Sequence, residues 1–418
     1  MKKFFVTSYG EKIEIISDCV KLFPDAHKQL IKISNYYQKV DKIRKTAEKK
    51  EKNSAVAFKG FISRYNTVLS ILTFFKDIGL NKNFKRHLDI GAGFGIHCAI
   101  MRGIGLVENT TALDWIDRSH FKNDIMVKKH YKKIKYWKYL EPALNTIGNS
   151  KYLADSLSYG IKKFGYPRIW TNSFQPSREI FYNTKLIEEP KIDKYLVEDI
   201  YKLKGKYDLI TGFSAIYLFK TSKLLKKISE ILMDGGIFIW NDPYYWFPVP
   251  PSNLIGYFPY TSQRLNTYDF KKYICTFHSK IKNHMLRVYN HIPRPAPTIK
   301  NYIDIGERYN LFPLAIKRTQ FGNNFPLNLG AGPAVFNQFK NTNLTEVLKN
   351  IHQFRDDVTY EDLLTGRIII ALQKRPKNKK LNSKEIKSLM QSRANKKLKK
   401  GKLFNLGKKI SDNIYKSN

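Results

Sequence analysis

The sequence predicts an α/β fold built on a mostly parallel β-sheet with helices on both faces. Short apolar segments alternate with amphipathic helical segments over much of the chain, which is typical of this class. One apolar segment, His87 to Ile90, leads directly into a glycine-rich turn, and Asp234-Gly235-Gly236 joins a helical pattern to another apolar run. With 418 residues, the chain is long enough for one elaborated domain or for two.

The composition indicates a folded protein in a reducing compartment. Apolar residues make up 42% of the chain and aromatic residues 14%, which excludes a disordered protein. The three cysteines, Cys19, Cys98 and Cys275, lack the spacing of a zinc site or a disulfide framework. No stretch approaches the roughly 18 apolar residues of a membrane span, and the apolar run after Met1 is too short for a signal peptide. We therefore expect a soluble, cytoplasmic protein.

The charge is strongly positive, at 74 − 35 = +39. Such an excess favours an acidic partner: nucleic acid, an anionic membrane, or an anionic glycan or nucleotide-linked substrate. The surplus is mostly lysine and accompanies many Asn, Ile, Tyr and Phe residues, which also fits the compositional bias of an AT-rich genome. Residues 374–418 hold 16 basic and 2 acidic residues, a net of +14, and form either a solvated tail or a peripheral contact with an anionic surface.

The N-terminal part, residues 1–83, is expected to be a helical region. Its first 60 residues are polar and include a charged run, which indicates a solvated helix face or a linker. A stronger helix follows, and Gly79 and Asn81 are its stop signals. Its apolar residues recur at near-helical spacing: Tyr65, Val68, Leu69, Leu72, Phe75 and Ile78.

The glycine turn after the first strand of the sheet reads Asp89-Ile90-Gly91-Ala92-Gly93-Phe94-Gly95. Glycine lets the backbone bend tightly and lets a ligand approach the main chain. The helix predicted after it, from Ile96 to Gly103, offers free N–H groups at its start. A dinucleotide fingerprint G-x-G-x-x-G would need its third glycine at the position of Ile96, so the spacing argues against a dinucleotide.

This turn resembles motif I of the class I S-adenosylmethionine-dependent methyltransferases, and the alternative is a glycine turn in another α/β protein. The resemblance implies a Rossmann-like, seven-stranded sheet over residues 84–373, with S-adenosyl-L-methionine as cofactor. It also implies that Asp89 holds the ammonium side of this ligand, which carries no pyrophosphate. The amino-acid and ribose portions would be lined by Gly91, Ala92, Gly93 and Gly95.

Acidic residues follow the second and third predicted strands. Thr110 to Asp114 is the second strand, and its terminal carboxylate accepts hydrogen bonds from ribose hydroxyls in nucleotide-binding folds of this kind. Trp115 could lie against the adenine. Asp117 is the competing acid, and either residue could instead cap a helix. Lys194 to Asp199 is the third strand, and the resemblance implies that Asp199, with Ile200 beside it, contacts the exocyclic amine of adenine.

The remaining strands occur in the order that the resemblance implies. The fourth strand, Lys206 to Ser214, begins with the Tyr-Asp-Leu-Ile segment common in this superfamily, and its end would place Phe213 and Ser214 beside the sulfonium and the acceptor. The fifth follows the glycine pair and ends at Trp240. The sixth and seventh are Leu311 to Thr319 and Gly366 to Leu372.

Three insertions interrupt this alternation, at residues 118–190, 244–295 and 321–361. They follow strands two, five and six, so all three emerge at the carboxyl edge of the sheet, where ligands bind in such folds. We expect them to build a lid over the cofactor. A lid favours a partly enclosed acceptor, such as a sugar, a nucleotide sugar or another small metabolite.

The general base for a hydroxyl acceptor has three candidates: Asp242, His120 and Tyr244. Asp242 could instead cap a turn, and His120 could be a polar residue of its insertion. The segment Asn241-Asp242-Pro243-Tyr244 looks like the [DNS]-P-P-[YFW] signature of amino-methyltransferases, but it follows the fifth strand rather than the fourth and lacks one proline, which indicates a coincidental match. No metal-ligand grouping is evident, so we predict a metal-independent reaction.

Three functions are consistent with the sequence. The first is O-methylation of a small molecule or glycan. The second is methylation of RNA or another nucleic acid, which the charge favours although no RNA-binding module is recognisable. The third is a non-catalytic binding protein that kept the fold, against which the intact Asp89, Asp114 and glycine turn argue.

Overall fold

A computed structural model of the chain describes residues 3–15, 55–80, 82–115, 168–171, 176–188, 190–243, 261–277, 297–320 and 343–375. The strands are β1 Lys3–Val6, β2 Lys12–Ile15, β3 Phe84–Ile90, β4 Val107–Asp114, β5 Arg168–Thr171, β6 Lys194–Val197, β7 Tyr207–Phe213, β8 Leu232–Pro243, β9 Leu311–Gln320 and β10 Thr365–Lys374. The α-helices are α1 Ala55–Asp77, α2 Ile96–Gly103, α3 Arg178–Asn183, α4 Thr221–Ile231, α5 Thr261–Arg264, α6 Thr267–Phe277, α7 Ile299–Arg308, α8 Leu344–Ile351 and α9 Tyr360–Leu364. Two short 3₁₀ turns lie at Ile200–Lys202 and Ile216–Leu218.

The main sheet has eight strands in the order β5-β9-β10-β8-β7-β3-β4-β6. All neighbouring pairs are parallel except those of β10, which is antiparallel to both β8 and β9. The seven strands predicted from the sequence are confirmed as β3, β4, β6, β7, β8, β9 and β10. The eighth strand, β5, comes from the segment predicted as the first insertion and extends the sheet beyond β9.

Helices cover both faces of this sheet, as predicted, because its central strands are apolar on both sides. One face packs against α1 and α2 in a cluster that includes Phe74, Phe84 and Ile100. The other packs against α4 and α7 through residues such as Ile228 and Tyr302. The leading helix α1 lies beside the first strand of the sheet, with the rings of Phe75 and Phe84 5.9 Å apart.

The N-terminal region departs from the prediction. A helical region from residue 1 was expected, but that expectation is wrong for residues 3–15, which form the antiparallel hairpin β1-β2. The physical reason is the alternation of apolar and polar residues in β2, which buries Ile13 and Ile15 and leaves Lys12 exposed. Gly10, with φ of 89°, supplies the left-handed turn between the strands. The charged run before α1 lies outside the described residues.

The hairpin is fastened to helices from the second and third predicted insertions. Glu11 is buried and pairs with Arg264 of α5 at 2.6 Å, and Asn350 of α8 donates to the same oxygen at 2.9 Å. The backbone N–H of Ser8 donates to Asp269 of α6 at 2.8 Å. Residues from three distant parts of the chain therefore form one unit through polar contacts, and buried contacts of this kind are costly to break singly.

Helix α9 lies at the carboxyl edge of the sheet and packs against α8 of this unit through Leu363. Helix α9 leads directly into β10, whose first residues pair with Pro243 of β8 and Gln320 of β9. Arg318, near the end of β9, is bound to Glu361 of α9 at 2.8 Å. The described part of the third predicted insertion thus reaches the expected edge of the sheet.

The division of the chain into residues 1–83, 84–373 and 374–418 stays a prediction. No helix in the part of the chain that the structure describes has the length and apolarity to cross a membrane.

Candidate active site

The glycine turn lies between the end of β3 and the start of α2, as predicted. Gly91, Gly93 and Gly95 have φ of 66°, 58° and 72°, a left-handed conformation that side chains with a Cβ rarely adopt. Gly95 is the N-cap of α2 and provides no side-chain hydrogen bond to the helix start. The first N–H groups of α2 thus receive no capping side chain from Gly95.

Side chains from the two neighbouring strands hold the turn in place. The N–H of Gly93 donates to Asp114 Oδ2 at 2.8 Å, and Tyr195 of β6 donates its hydroxyl hydrogen bond to the Gly93 carbonyl at 2.5 Å. The N–H of Ala92 donates to the Leu113 carbonyl at 3.0 Å. The backbone N–H and the carbonyl of Gly93 are therefore both held by side chains, one from β4 and one from β6. Sequence reasoning missed Tyr195, which is one of 26 tyrosines and carries no motif.

Replacement of Tyr195 by phenylalanine should loosen this turn without unfolding the protein. The variant loses one hydrogen bond, worth about 1 kcal/mol, so affinity for S-adenosylhomocysteine should fall by about fivefold. Isothermal titration calorimetry measures this change. Tyr207→Phe, at the opposite end of the sheet, is the matched control and should leave the affinity unaltered. Equal losses in both variants would mean that Tyr195 has no particular role at the turn.

Asp89 is the penultimate residue of β3 and belongs to a chain of three polar side chains. Thr211 of β7 donates its hydroxyl hydrogen to Asp89 Oδ1 at 2.7 Å. His87 Nε2 lies 2.8 Å from the same hydroxyl. Because that hydroxyl has one proton, His87 donates through Nε2 and is neutral when Asp89 is ionised. Sequence reasoning did not single out His87 or Thr211, since both occupy positions in apolar strands.

The pKa values in this group are shifted mainly by burial. Burial, together with the nearby charge of Asp114, raises the pKa of Asp89 to about 8, and the hydrogen bond from Thr211 opposes the shift. Burial lowers the pKa of His87 to about 3. Burial, followed by the charge of Arg64, lowers the pKa of His97 to about 3. Asp89 is therefore the group whose charge is costly at neutral pH.

The second oxygen of Asp89 gives a test of whether a cationic ligand fits. Asp89 Oδ2 is buried and has no hydrogen-bond partner among the described residues, and His97 Nδ1, which the lowered pKa keeps neutral, lies 3.9 Å away. A buried carboxylate oxygen in that state is unfavourable unless a donor group reaches it. The ammonium group of S-adenosylmethionine is such a donor, so the residues present fit this cofactor.

The residues predicted for the ribose and adenine lie at the same edge of the sheet. Asp114 is buried at the end of β4 with one oxygen oriented by Gly93, and Trp115 beside it is 80% exposed. Asp199 is exposed, and its Oδ1 accepts from the N–H of Tyr201 at 3.0 Å as the cap of the first 3₁₀ turn. Ile200 is buried in the apolar core. Contacts of these four residues with a cofactor stay predictions, and the competing acid Asp117 lies outside the described residues.

The end of β7 carries the residues predicted to face the sulfonium and the acceptor. Phe213 stacks on His97 of α2, with ring centroids 4.1 Å apart and planes at 26°. Ser214 has φ of 54°, which is uncommon for a residue other than glycine, and its N–H donates to the Asn241 carbonyl at 2.8 Å. His97 is a further residue that sequence reasoning missed, because it follows the glycine turn without any motif of its own.

Among the candidate bases, only Asp242 lies within the described residues. Its Oδ1 accepts from the N–H of Ala215 at 3.0 Å and its Oδ2 from the N–H of Tyr217 at 2.9 Å. Burial raises its pKa to about 7, while the Tyr217 hydrogen bond and the charge of Arg367 oppose that shift. Asp242 thus has the hydrogen bonds of a turn cap, which was the alternative to its role as a general base. Its role as a base stays a prediction.

His120 and Tyr244 lie outside the described residues, so their roles also stay predictions. The segment Asn241-Asp242-Pro243 ends β8, which is the fifth of the predicted strands. The amino-methyltransferase signature that this segment resembles belongs after the fourth strand, and this difference was the reason to interpret the match as coincidental. Within the described ranges, no group of His, Cys, Asp and Glu side chains is placed to hold a metal ion.

No protein-family model and no curated protein matches this sequence. Solved structures do resemble the structure of this chain. One is a S-adenosylmethionine-dependent methyltransferase from Clostridium acetobutylicum, with 13% identity, 74% of this chain and 92% of that chain covered, and a TM-score of 0.34. Another is the cyclopropane synthase MmaA2 from Mycobacterium tuberculosis, with 13% identity, coverage of 75% and 84%, and a TM-score of 0.36. Similarities this weak carry no argument about activity.

The fold follows instead from the strand order of the chain itself. The sheet runs from β6 through β4, β3, β7 and β8, and the antiparallel β10 lies between β8 and β9. The glycine turn follows β3, at the centre of the sheet, and the acids Asp89, Asp114 and Asp199 lie at or after the carboxyl ends of three neighbouring strands. Together, this order and this turn give the chain a Rossmann-like α/β sheet with a glycine turn after its central strand, as the sequence resemblance implied.

Proposed function

We propose that this protein is a S-adenosylmethionine-dependent methyltransferase that methylates a hydroxyl group of a sugar, a nucleotide sugar or another small metabolite. The observation that carries the proposal is the arrangement of Asp89 and the glycine turn. A buried carboxylate oxygen without a hydrogen-bond partner among the described residues points to a cationic ligand, and left-handed glycines let that ligand lie against the backbone.

The chain's own residues would act mainly by binding and orientation. Asp89 would hold the ammonium, Asp114 the ribose hydroxyls and Asp199 the adenine amine, since each of these ligand groups donates hydrogen bonds and carboxylates accept them. When bound, the cofactor supplies an electrophilic methyl group on a sulfonium. Phe213 and His97, which stack on each other beside Asp89, would exclude water from that side of the site.

A small acceptor is supported by the elements at the carboxyl edge of the sheet. The hairpin β1-β2 and helices α5, α6 and α8 form one unit, and α9 ties the adjoining segment to β9 through Glu361 and Arg318. Helix α9, which lies at this edge and packs against α8, favours an acceptor that enters a partly enclosed site. Positioning is then the main contribution to the rate.

Methylation of RNA is the second candidate, and a group of exposed lysines favours it. Three lysines are exposed where β7 leads into α4: Lys220, which is the N-cap of α4, Lys223 of α4 and Lys202 of the first 3₁₀ turn. Lys223 Nζ lies 3.8 Å from the centroid of the Tyr201 ring, which links the two elements. Such a surface suits a phosphate backbone.

One pair of measurements tests the proposal. Calorimetry should show that both S-adenosylmethionine and S-adenosylhomocysteine bind, and transfer of a labelled methyl group should occur into a pool of sugars, nucleotide sugars and small hydroxylated metabolites. Transfer into RNA alone, with binding that weakens steeply as salt rises, would support the second candidate. Binding without transfer into any pool would identify a non-catalytic binding protein. Absence of binding would refute the cofactor assignment.

A further inference from the structure

The candidate site holds a second polar side chain beside Asp89, the imidazole ring of His97. His97 is in the first turn of α2, directly after the glycine turn, and its side chain is 13% exposed, so a ligand at this turn can reach it. The ring stacks on Phe213 at the end of β7, with the two centroids 4.1 Å apart. This stack fixes the plane of the imidazole and therefore the directions of its two nitrogen atoms.

The orientation of the Asp89 carboxyl group is fixed by Thr211. Thr211 lies opposite Asp89 in the parallel pairing of β3 with β7, and its hydroxyl donates to Asp89 Oδ1 at 2.7 Å. The other oxygen, Oδ2, is 3.9 Å from His97 Nδ1 and has no hydrogen-bond partner among the described residues. That separation is too long for a direct hydrogen bond. The two atoms are therefore close neighbours that do not bond to each other.

Both atoms can accept a hydrogen bond from a ligand. Burial, followed by the charge of Arg64, lowers the pKa of His97 to about 3, so its ring is neutral at physiological pH. One nitrogen of a neutral imidazole carries a proton and the other a lone pair, and Nδ1 is the acceptor in the tautomer protonated at Nε2. Asp89 Oδ2 is an acceptor once the carboxyl group is ionised. A single group that donates two hydrogen bonds can thus satisfy both atoms.

The spacing of the two acceptor atoms suits one ammonium nitrogen. A nitrogen about 2.9 Å from each atom, the usual length of such a hydrogen bond, would see the two acceptors about 85° apart. The N–H bonds of an ammonium group diverge by about 109°, so each hydrogen bond would be bent by only about 12°. A carboxylate fits the same place poorly, because it would meet the negative charge of Asp89 at close range.

We propose that His97 Nδ1 is the second acceptor for the ammonium group of the cofactor, which Asp89 and His97 bind between them. The inference rests on the proposed function and deepens it by assigning a specificity-determining residue at the cofactor site. A neutral second acceptor adds affinity for the ammonium without adding another negative charge beside Asp89, whose ionisation the charge of Asp114 already opposes. The site is therefore selective for ligands that carry a primary ammonium group.

Calorimetry with three ligands tests this assignment: S-adenosylhomocysteine, its analogue without the amino group, and its analogue without the carboxyl group. His97→Phe keeps an aromatic ring for the stack on Phe213 and removes the acceptor. It should weaken binding of S-adenosylhomocysteine and of the decarboxylated analogue by roughly 10- to 100-fold, as expected for a lost hydrogen bond to a charged group. Its affinity for the deaminated analogue should be unchanged. His97→Asn should recover part of the lost affinity, because its amide oxygen can replace Nδ1 as the acceptor.

His352→Phe is the matched control and should leave all three affinities unaltered. His352 Nε2 lies 2.9 Å from the Val358 carbonyl oxygen, so this variant makes the same exchange between α8 and α9. The readout is the ratio of the affinities for S-adenosylhomocysteine and the deaminated analogue within one variant, which a change in stability alone does not move.

Three results would overturn the inference. Unchanged affinity for S-adenosylhomocysteine in His97→Phe, or equal weakening of all three ligands, would exclude a contact with the ammonium and leave the proposed function intact. Weakening of the deaminated but not the decarboxylated analogue would assign His97 to the carboxylate of the ligand. If S-adenosylhomocysteine does not bind the unmodified protein at all, the proposed function and this inference both fail.

Discussion

Asp89→Asn should stabilise the free protein and strongly weaken cofactor binding. Asp89 is a buried carboxyl group whose ionisation is penalised and one of whose oxygens lacks a hydrogen-bond partner among the described residues, and asparagine removes the ionisable group while keeping the acceptor for Thr211. We expect a gain of roughly 1–3 kcal/mol in the free energy of unfolding near neutral pH. Affinity for S-adenosylmethionine should fall on the order of 100-fold, because a charged partner of the ammonium is lost. Thermal unfolding and calorimetry measure the two effects.

The stabilising effect of Asp89→Asn should depend on pH with a defined sign. The pKa of Asp89 is raised from its ordinary value to about 8 in the folded state. The stability associated with its protonated form is therefore complete below the unfolded-state pKa of about 3.9 and is lost as pH rises from there through about 8. The variant should match the unmodified protein near pH 4 and exceed it progressively toward pH 8. A constant difference across this range would contradict the assigned pKa.

Asp208→Asn is the matched control for this variant. Asp208 lies near the start of β7 and accepts backbone hydrogen bonds from Lys85 at 2.7 Å and Arg86 at 2.8 Å. Its replacement weakens two charge-assisted hydrogen bonds, so it should destabilise the protein and leave cofactor affinity unchanged. If Asp89→Asn raises the free energy of unfolding and Asp208→Asn lowers it, Asp89 has a role in ligand binding and Asp208 stabilises the fold.

Gly91→Ala should disrupt the turn itself. A Cβ at residue 91 would lie 2.6 Å from the Cβ of Ala215, and the φ of 66° disfavours any side chain. The clash and the backbone strain together should cost roughly 2–4 kcal/mol of stability. The displaced turn should lower cofactor affinity by more than about tenfold. Denaturant unfolding and calorimetry measure both quantities.

Gly235→Ala is the control that has the backbone strain of Gly91→Ala without its steric clash. Gly235 has a similar φ of 76°, but a Cβ there would meet no atom within 4 Å. This variant should cost about 1 kcal/mol through strain alone and leave cofactor binding intact. If Gly91→Ala binds the cofactor as well as Gly235→Ala does, close approach of the backbone at Gly91 is unnecessary for the site.

The elements that the sequence predicted well are those determined by local pattern. The strand ending at Ile90 and the helix from Ile96 to Gly103 were predicted within a few residues, because apolar runs and glycine turns act over short distances. Asp89 was identified for the same reason. The fold class followed because these local signals recur in a fixed order along the chain.

The parts that were missed depend on contacts between distant residues. The hairpin at residues 3–15 is held by Arg264 and Asn350, which no local pattern connects to Glu11. Tyr195 reaches Gly93 across about a hundred positions, and Arg367 reaches Ser214 across about 150. Side chains of this kind are recognisable only after the strands have been placed side by side.

The place of β10 in the sheet has a consequence for how the protein is made. β10 is the last described strand in the chain, yet it lies between β8 and β9. Strands β3, β4, β6 and β7 can pair while synthesis continues, whereas β8 keeps an open edge until residue 374 has left the ribosome. The part of the site assigned to the cofactor can therefore mature before the edge that β8 shares with β10. An unpaired edge at β8 is a site where incomplete chains can aggregate.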